Sequence, residues 1–183
     1  MPNKEKSLKK LANQIKKCQA CSLWKTAKNA VPGGGPANAK IMIVGQAPGA
    51  EENKTGRPFV GRAGQFLNKL LEIAKIKREK IFITSPIKCF PPKNRKPTKK
   101  EIEACFHYLK RQIGIINPQK IILLGEVAFS VFFPKKKLSS FRGKWVEKDK
   151  KLYFVTYHPA AGMRFPKIRK ILENDFQKLK DLK

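Results

Sequence analysis

The sequence predicts an α/β fold, a three-layer αβα sandwich with a central four-stranded parallel sheet. Three observations predict it. Four short apolar runs recur at wide spacing, at 41–45, 80–85, 120–125 and 151–157. Segments with helical apolar periodicity separate them, the alternation that the crossovers of a parallel sheet need. The chain is 183 residues long and 41% hydrophobic, enough for a core on both faces of one sheet, so residues 1–183 are expected to form one domain.

The elements follow in order. Residues 5–17 (EKSLKKLANQIKK) put Leu8, Leu11, Ala12 and Ile15 on one face, so an amphipathic helix is expected there. VPGGGPANAK is a loop by its Gly and Pro content. IMIVG (41–45) is a buried strand, and the Gly/Pro-rich QAPGAEENKTGRPFVGRAG after it is expected to be a loop. QFLNKLLEIAKI brings Phe66, Leu67, Leu70, Leu71 and Ala74 into helical phase. KIFITS (80–85) is the second strand, and CFPPKNRKP is irregular by its prolines. Thr98 and Glu101 form a capping box that opens a helix to about residue 116, with Cys105 on its inward face. KIILLG (120–125) is the third strand and EVAFSVFF a short helix. Residues 142–148 suit a small edge strand. KLYFVTY (151–157) is the last main strand, and 164–180 a closing helix.

Composition narrows the function. Lys+Arg is 41 against 13 Asp+Glu, a formal charge of +28 that fits a polyanionic partner. Only eight of those 41 are Arg, a skew that a generally Lys-rich proteome would also produce. The only Asp residues are Asp149, Asp175 and Asp181, and the only His residues are His107 and His158. Paired-carboxylate metal nucleases and His-cluster chemistries therefore lack material. No apolar run reaches the roughly 20 residues of a membrane span, and the N-terminus lacks a secretory h-region. A soluble, cytoplasmic, monomeric protein with no membrane partner is the expectation. Four cysteines, Cys18, Cys21, Cys89 and Cys105, then sit in a reducing compartment. The C-x2-C pair has chelating spacing, and four thiolates suit zinc or an iron–sulfur cluster equally.

In parallel α/β sheets ligands sit beyond the carboxyl ends of the strands. That rule gathers Gly45-Gln46-Ala47 after the first strand, Ser85 after the second and His158 after the last. GQAPG is neither a Walker loop nor G-x-G-x-x-G. Its glycines allow close backbone approach, and Gln46 offers both donor and acceptor. Phe59, in TGRPFVGRAG, could stack on a planar ligand or belong to the core. His158 could donate to a developing oxyanion. Met163 and Arg164 pair an apolar wedge with a phosphate clamp, a combination suited to kinked DNA.

GQAPGAEENKTGRPFVGRAG, the early C-x2-C, KCFPPKNRKPT…EIEAC and YHPAAGMR closely resemble the family 4 uracil-DNA glycosylases over roughly residues 8–180. The resemblance implies the uracil-glycosylase fold and a 4Fe–4S cluster on Cys18, Cys21, Cys89 and Cys105. It also implies DNA base excision by flipping a nucleotide into a tight pocket and hydrolysing its N-glycosidic bond. By that resemblance Gly45, Gln46 and Ala47 contact base and water, Phe59 stacks on uracil and His158 hydrogen-bonds uracil O2. The loop beside the cluster would present Lys93, Arg95 and Lys96 to DNA phosphate.

Two positions depart from the family pattern. Gln46 stands where the family usually has Glu, which keeps the shape but removes the charge. Ser85 stands where it usually has an Asn that reads uracil O4 and N3, so bidentate readout is lost. These substitutions motivate an alternative, a same-fold glycosylase shifted toward hypoxanthine, xanthine or other deaminated bases. A catalytically inactive DNA-binding homologue is a third reading. The covalent uracil-binding relatives carry a His-containing basic loop near the first motif, which this chain lacks.

Overall fold

The computed structural model describes residues 3–180. Asp181 lies outside them. Helix α1 (Lys4–Lys16) is capped by the Asn3 side chain, which accepts from the backbone N–H groups of Glu5 and Lys6. Then follow β1 (Ile41–Val44), α2 (Ala50–Thr55), α3 (Arg62–Ile73), β2 (Ile81–Thr84) and α4 (Lys99–Ile116). The second half holds β3 (Lys120–Leu124), α5 (Glu126–Phe132), α6 (Leu138–Phe141), β4 (Trp145–Lys148), β5 (Lys151–Thr156), α7 (Pro159–Arg164) and α8 (Pro166–Gln177).

The sheet order is β2-β1-β3-β5-β4. The four predicted strands are the parallel ones, and β4 adds a fifth, antiparallel edge strand paired with β5. Residues of the parallel strands alternate between two cores, as strand periodicity requires. Met42, Val44, Ile121, Leu123, Tyr153 and Val155 face α4 and α5, while Ile43, Ile83, Ile122, Leu124 and Phe154 face α3 and α8. A third, smaller core joins Leu11 and Ile15 of α1 to Ile87, Cys105 and Tyr108. Among the described residues no helix is long and apolar enough to cross a membrane.

Two local expectations change. The loop after β1 contains α2, a six-residue helix whose apolar content is too low to show periodicity. The closing helix expected over 164–180 is α8, and a short helix not expected from the sequence, α7, precedes it. Pro159 occupies the first turn of α7 directly after its cap His158, and Pro166 opens α8 after a break at extended Phe165. The chain leaves β1 toward β2 on one side and β3 on the other. The resulting crevice at the carboxyl ends of the strands positions the site.

Candidate active site and cysteine centre

A cavity of about 390 Å³ opens at that crevice. Gln46, Ala47, Phe59, Ser85 and His158 all line it, and so does Arg95. Gly45 stands behind the Phe59 ring. A Cβ at Gly45 would fall 2.6 Å from Phe59 Cε2, so only glycine lets the ring lie flat there.

Phe59 is the most constrained of these residues. Its φ of 51° lies in the left-handed region, which costs an aromatic residue on the order of 1–3 kcal/mol. Two side chains from elsewhere hold it. Arg78 Nη2 donates to the carbonyls of Pro58 (2.9 Å) and Phe59 (3.0 Å), and its Nη1 donates to Asn68 (2.6 Å). Glu52 accepts from the backbone N–H groups of Val60 (2.8 Å), Gly61 (2.9 Å) and Gly49 (3.0 Å), joining the starts of α2 and α3. Gly64 completes the clamp, since a Cβ there would fall 2.0 Å from the Phe59 carbonyl oxygen.

His158 caps α7. Its Nδ1 accepts from the Ala160 N–H at 3.2 Å, which leaves the proton on Nε2. Enclosure by the protein pushes its pKa down to about 4, against a smaller opposing pull from Glu52. The ring is therefore a neutral imidazole with a single aimed donor. Its centroid lies 5.8 Å from that of Phe59, with the planes 34° apart.

Ser85 is buried, and its hydroxyl donates to the Ile87 carbonyl at 2.5 Å. Toward the cavity its oxygen therefore offers lone pairs only. The Ser85 carbonyl accepts from Lys88 Nζ (2.7 Å), which also donates to Thr84 Oγ1 (2.6 Å) and Gln112 Oε1 (2.8 Å). Lys88 is almost wholly buried, and burial lowers its pKa to about 7. Gln112 in turn donates to the Pro32 carbonyl at 2.6 Å, so this network fixes the end of β2 against α4 and the loop before β1.

Among the described residues, the one carboxylate lining the cavity is Glu52, and both its oxygens already accept backbone N–H groups. Asp175 sits elsewhere, bound to Arg142 and Thr156. Among the described residues, no free carboxylate faces the cavity to act as a general base.

The four cysteines lie together beside this site, lining one small pocket between α1, the segment after β2, and α4. Burial first, then neighbouring thiolates, raise Cys89 to about 12; burial raises Cys105 to about 11. Burial first, then the neighbouring Cys18, push the Tyr108 hydroxyl up to about 12. Among the described residues no three His, Cys, Asp or Glu side chains form a group able to hold a single metal ion.

Of the predicted DNA-contact residues, only Arg95 lines the cavity among the described residues. Lys93, Lys96, Met163 and Arg164 are exposed, and Phe165, which the sequence reading did not single out, is 51% exposed beside them. Arg95 is different: its guanidinium makes a two-pronged pair with Glu101, at 2.6 and 2.9 Å. Glu52, Arg78 and Lys88 also escaped sequence reasoning as site residues. The short spacing from Glu52 to the GRPFVG segment was the one available signal.

Comparison with known proteins gives a consistent result. A family model for the uracil DNA glycosylase superfamily matches residues 32–180. A type-4 uracil-DNA glycosylase of Sulfurisphaera tokodaii is 46% identical, covering 96% of this chain and 84% of the relative. One from Saccharolobus solfataricus is 48% identical over 93% of this chain and 84% of the relative. One from Thermotoga maritima is 42% identical over 98% and 96%.

Proposed function

Because the chain belongs to the uracil DNA glycosylase superfamily, we propose that it is a DNA-repair enzyme that hydrolyses the N-glycosidic bond of uracil in DNA. The observation that carries this reading is the pairing of the Phe59 ring with His158 Nε2–H in one cavity. A pyrimidine stacked on Phe59 would direct a carbonyl edge at that donor. As the C1′–N1 bond breaks, its electrons pass into the ring and onto O2. His158 stabilises that charge by hydrogen bonding and needs no change of protonation. The neutral state fits this role, since the donor is fixed before the charge develops. Water then adds to the cationic sugar at C1′, and the proton it sheds ends on N1 of the released base. Such a sugar cation needs only a weak nucleophile, in keeping with the absence of a free carboxylate among the described residues lining the cavity. Gln46 has no hydrogen bond to protein among the described residues, so its carboxamide is available to hold that water or the base.

Ser85 favours a second reading, a broader substrate range. Its lone pairs accept from a ring imino N–H, which uracil, hypoxanthine and xanthine all carry. Cytosine and adenine present a bare ring nitrogen at that edge. The test is single-turnover base release from oligonucleotides containing uracil or hypoxanthine. Fast uracil release that falls by about 10²–10³-fold in His158→Ala supports the reading. No release of either base, with DNA still bound, assigns the chain to DNA binding alone. Ser85→Asn should raise the uracil rate relative to hypoxanthine, and an unchanged ratio would count against Ser85 as the reader.

The cysteine pocket supports a 4Fe–4S cluster held by Cys18, Cys21, Cys89 and Cys105. Burial, and repulsion from the neighbouring cysteines, keep the Cys89 and Cys105 thiols protonated, so a cationic group is what would draw the protons off. When bound, the cluster supplies a covalent tie between α1, the loop after β2 and α4.

A further inference from the structure

A second groove, of about 470 Å³, lies beside the cysteine pocket and shares Cys18, Trp24 and Cys89 with it. Its lining neighbours that of the base cavity along the chain, at Ala30–Val31 and Arg57–Pro58. Its walls carry Lys16, Lys17, Lys28 and Arg57, all exposed and, among the described residues, in no ion pair. Among the described residues, no acidic one lines it. Trp24 stands in the wall with 39% of its surface exposed, an unusual position for so large an aromatic side chain. The floor is built before any ligand arrives. Asn53 Oδ1 accepts from the N–H groups of Lys28 (2.8 Å) and Asn29 (3.3 Å), while the Asn29 side chain donates to the carbonyls of Asn53 (2.9 Å) and Lys54 (3.0 Å).

We propose that this groove holds the single strand flanking the extruded nucleotide, with one base stacked on Trp24 and the phosphates tracked by Lys16, Lys17, Lys28 and Arg57. An uncompensated cationic groove with one presented ring is the arrangement that binds a single strand without reading its sequence. The location follows from the groove's nearness to the base cavity at Ala30–Val31 and Arg57–Pro58, so the inference rests on the DNA substrate proposed above. The cation set selects a polyanion, and the ring selects one with planar bases.

The test is made on the full chain with its metal loaded, and with a lesion-free oligo-dT strand, so that binding is read apart from base release. Trp145 is the only other tryptophan, and Trp145→Phe leaves Trp24 as the sole emitter. Strand binding should quench that emission. Trp24→Ala should weaken binding about 5- to 150-fold, the range for one stacked base, and Trp24→Phe should restore most of it. Lys17→Gln/Lys28→Gln should lower the salt slope of log affinity by about 0.7 for each lost phosphate contact. On a uracil strand at limiting enzyme, these variants should lose base release in proportion to their lost affinity. Unquenched Trp24 emission, with affinity unchanged in Trp24→Ala, would overturn the proposal even if uracil is excised normally. Failure of excision with quenching intact would overturn the function above and leave the groove standing.

Discussion

Gly45→Ala tests the geometry of the cavity at its tightest point. The added Cβ would lie 2.6 Å from Phe59 Cε2 and 2.7 Å from Cζ. Carbon–carbon contacts settle near 3.5–4.0 Å, so the ring must move by about 1 Å. The backbone of Phe59 cannot follow. Arg78 holds its carbonyl, Glu52 holds the next two N–H groups, and Gly64 abuts it. The ring must therefore swing into the space assigned to the base. Overpacking of this kind costs about 1–3 kcal/mol of stability, or roughly 2–12 °C in Tm at this chain length. A 1 Å misplacement costs on the order of 100-fold in rate. The assay is single-turnover uracil release alongside thermal unfolding. Gly45→Ala should stay folded and lose about 100-fold in rate. In a Phe59→Ala background, where no ring remains to displace, the same change should cost little more. A near-parental rate for Gly45→Ala, or a full second loss in the double variant, would refute the reasoning.

Three further outcomes follow from the same bonds. Glu52→Ala removes the acceptor of three backbone N–H groups and should lower Tm and the excision rate together; each buried donor left unpaired costs about 1–3 kcal/mol, and an unchanged melting curve would argue against the clamp. His158 titrates near 4 when folded and near 6.5 when unfolded, so above pH 6.5 it adds no pH dependence to stability; between 6.5 and 4 the unfolded chain takes up a proton that the folded one refuses, and stability falls as pH drops. His158→Gln should remove that portion of the acid slope, and an imidazole that titrates by NMR near 6.5 in the folded protein would contradict its enclosure. Cys105→Ser, or removal of metal by chelation, should abolish visible absorption and lower Tm, because α4 then loses its tie to α1.

The sequence showed the parallel strands and the pocket residues for one reason: in this architecture the site is made by whatever follows each strand. Gln46, Ser85 and His158 are each one or two residues past a strand end, so finding the strands located them. The supporting residues follow no such rule. Arg78 acts on carbonyls about 20 positions away, and Lys88 on Gln112, 24 positions on. Neither bond leaves a local pattern, and Lys88 looks like any other lysine in a Lys-rich chain. Helix α2 was missed because a six-residue helix with no buried side chain has no apolar period to read.

Arg95 shows the same limit among the predicted DNA contacts, with a measurable consequence. In KNRKP it reads as one more cation for phosphate, beside Lys93 and Lys96. In the structure both prongs of its guanidinium are held by Glu101, whose carboxylate also accepts from the Thr98 N–H. Arg95 first, and that backbone bond less strongly, hold the Glu101 pKa down to about 2 from 4.5. Stability from this pair is present above pH 4.5 and is lost as pH falls toward 2. Arg95→Gln should therefore move acid unfolding to higher pH, while the salt slope of DNA binding stays at the parental value. Lys93→Gln should do the reverse, leaving acid unfolding in place and flattening the slope by about 0.7 on single strands. If Arg95→Gln flattens the slope as Lys93→Gln does, Arg95 leaves Glu101 for phosphate when DNA binds, and the sequence reading of this residue is the right one.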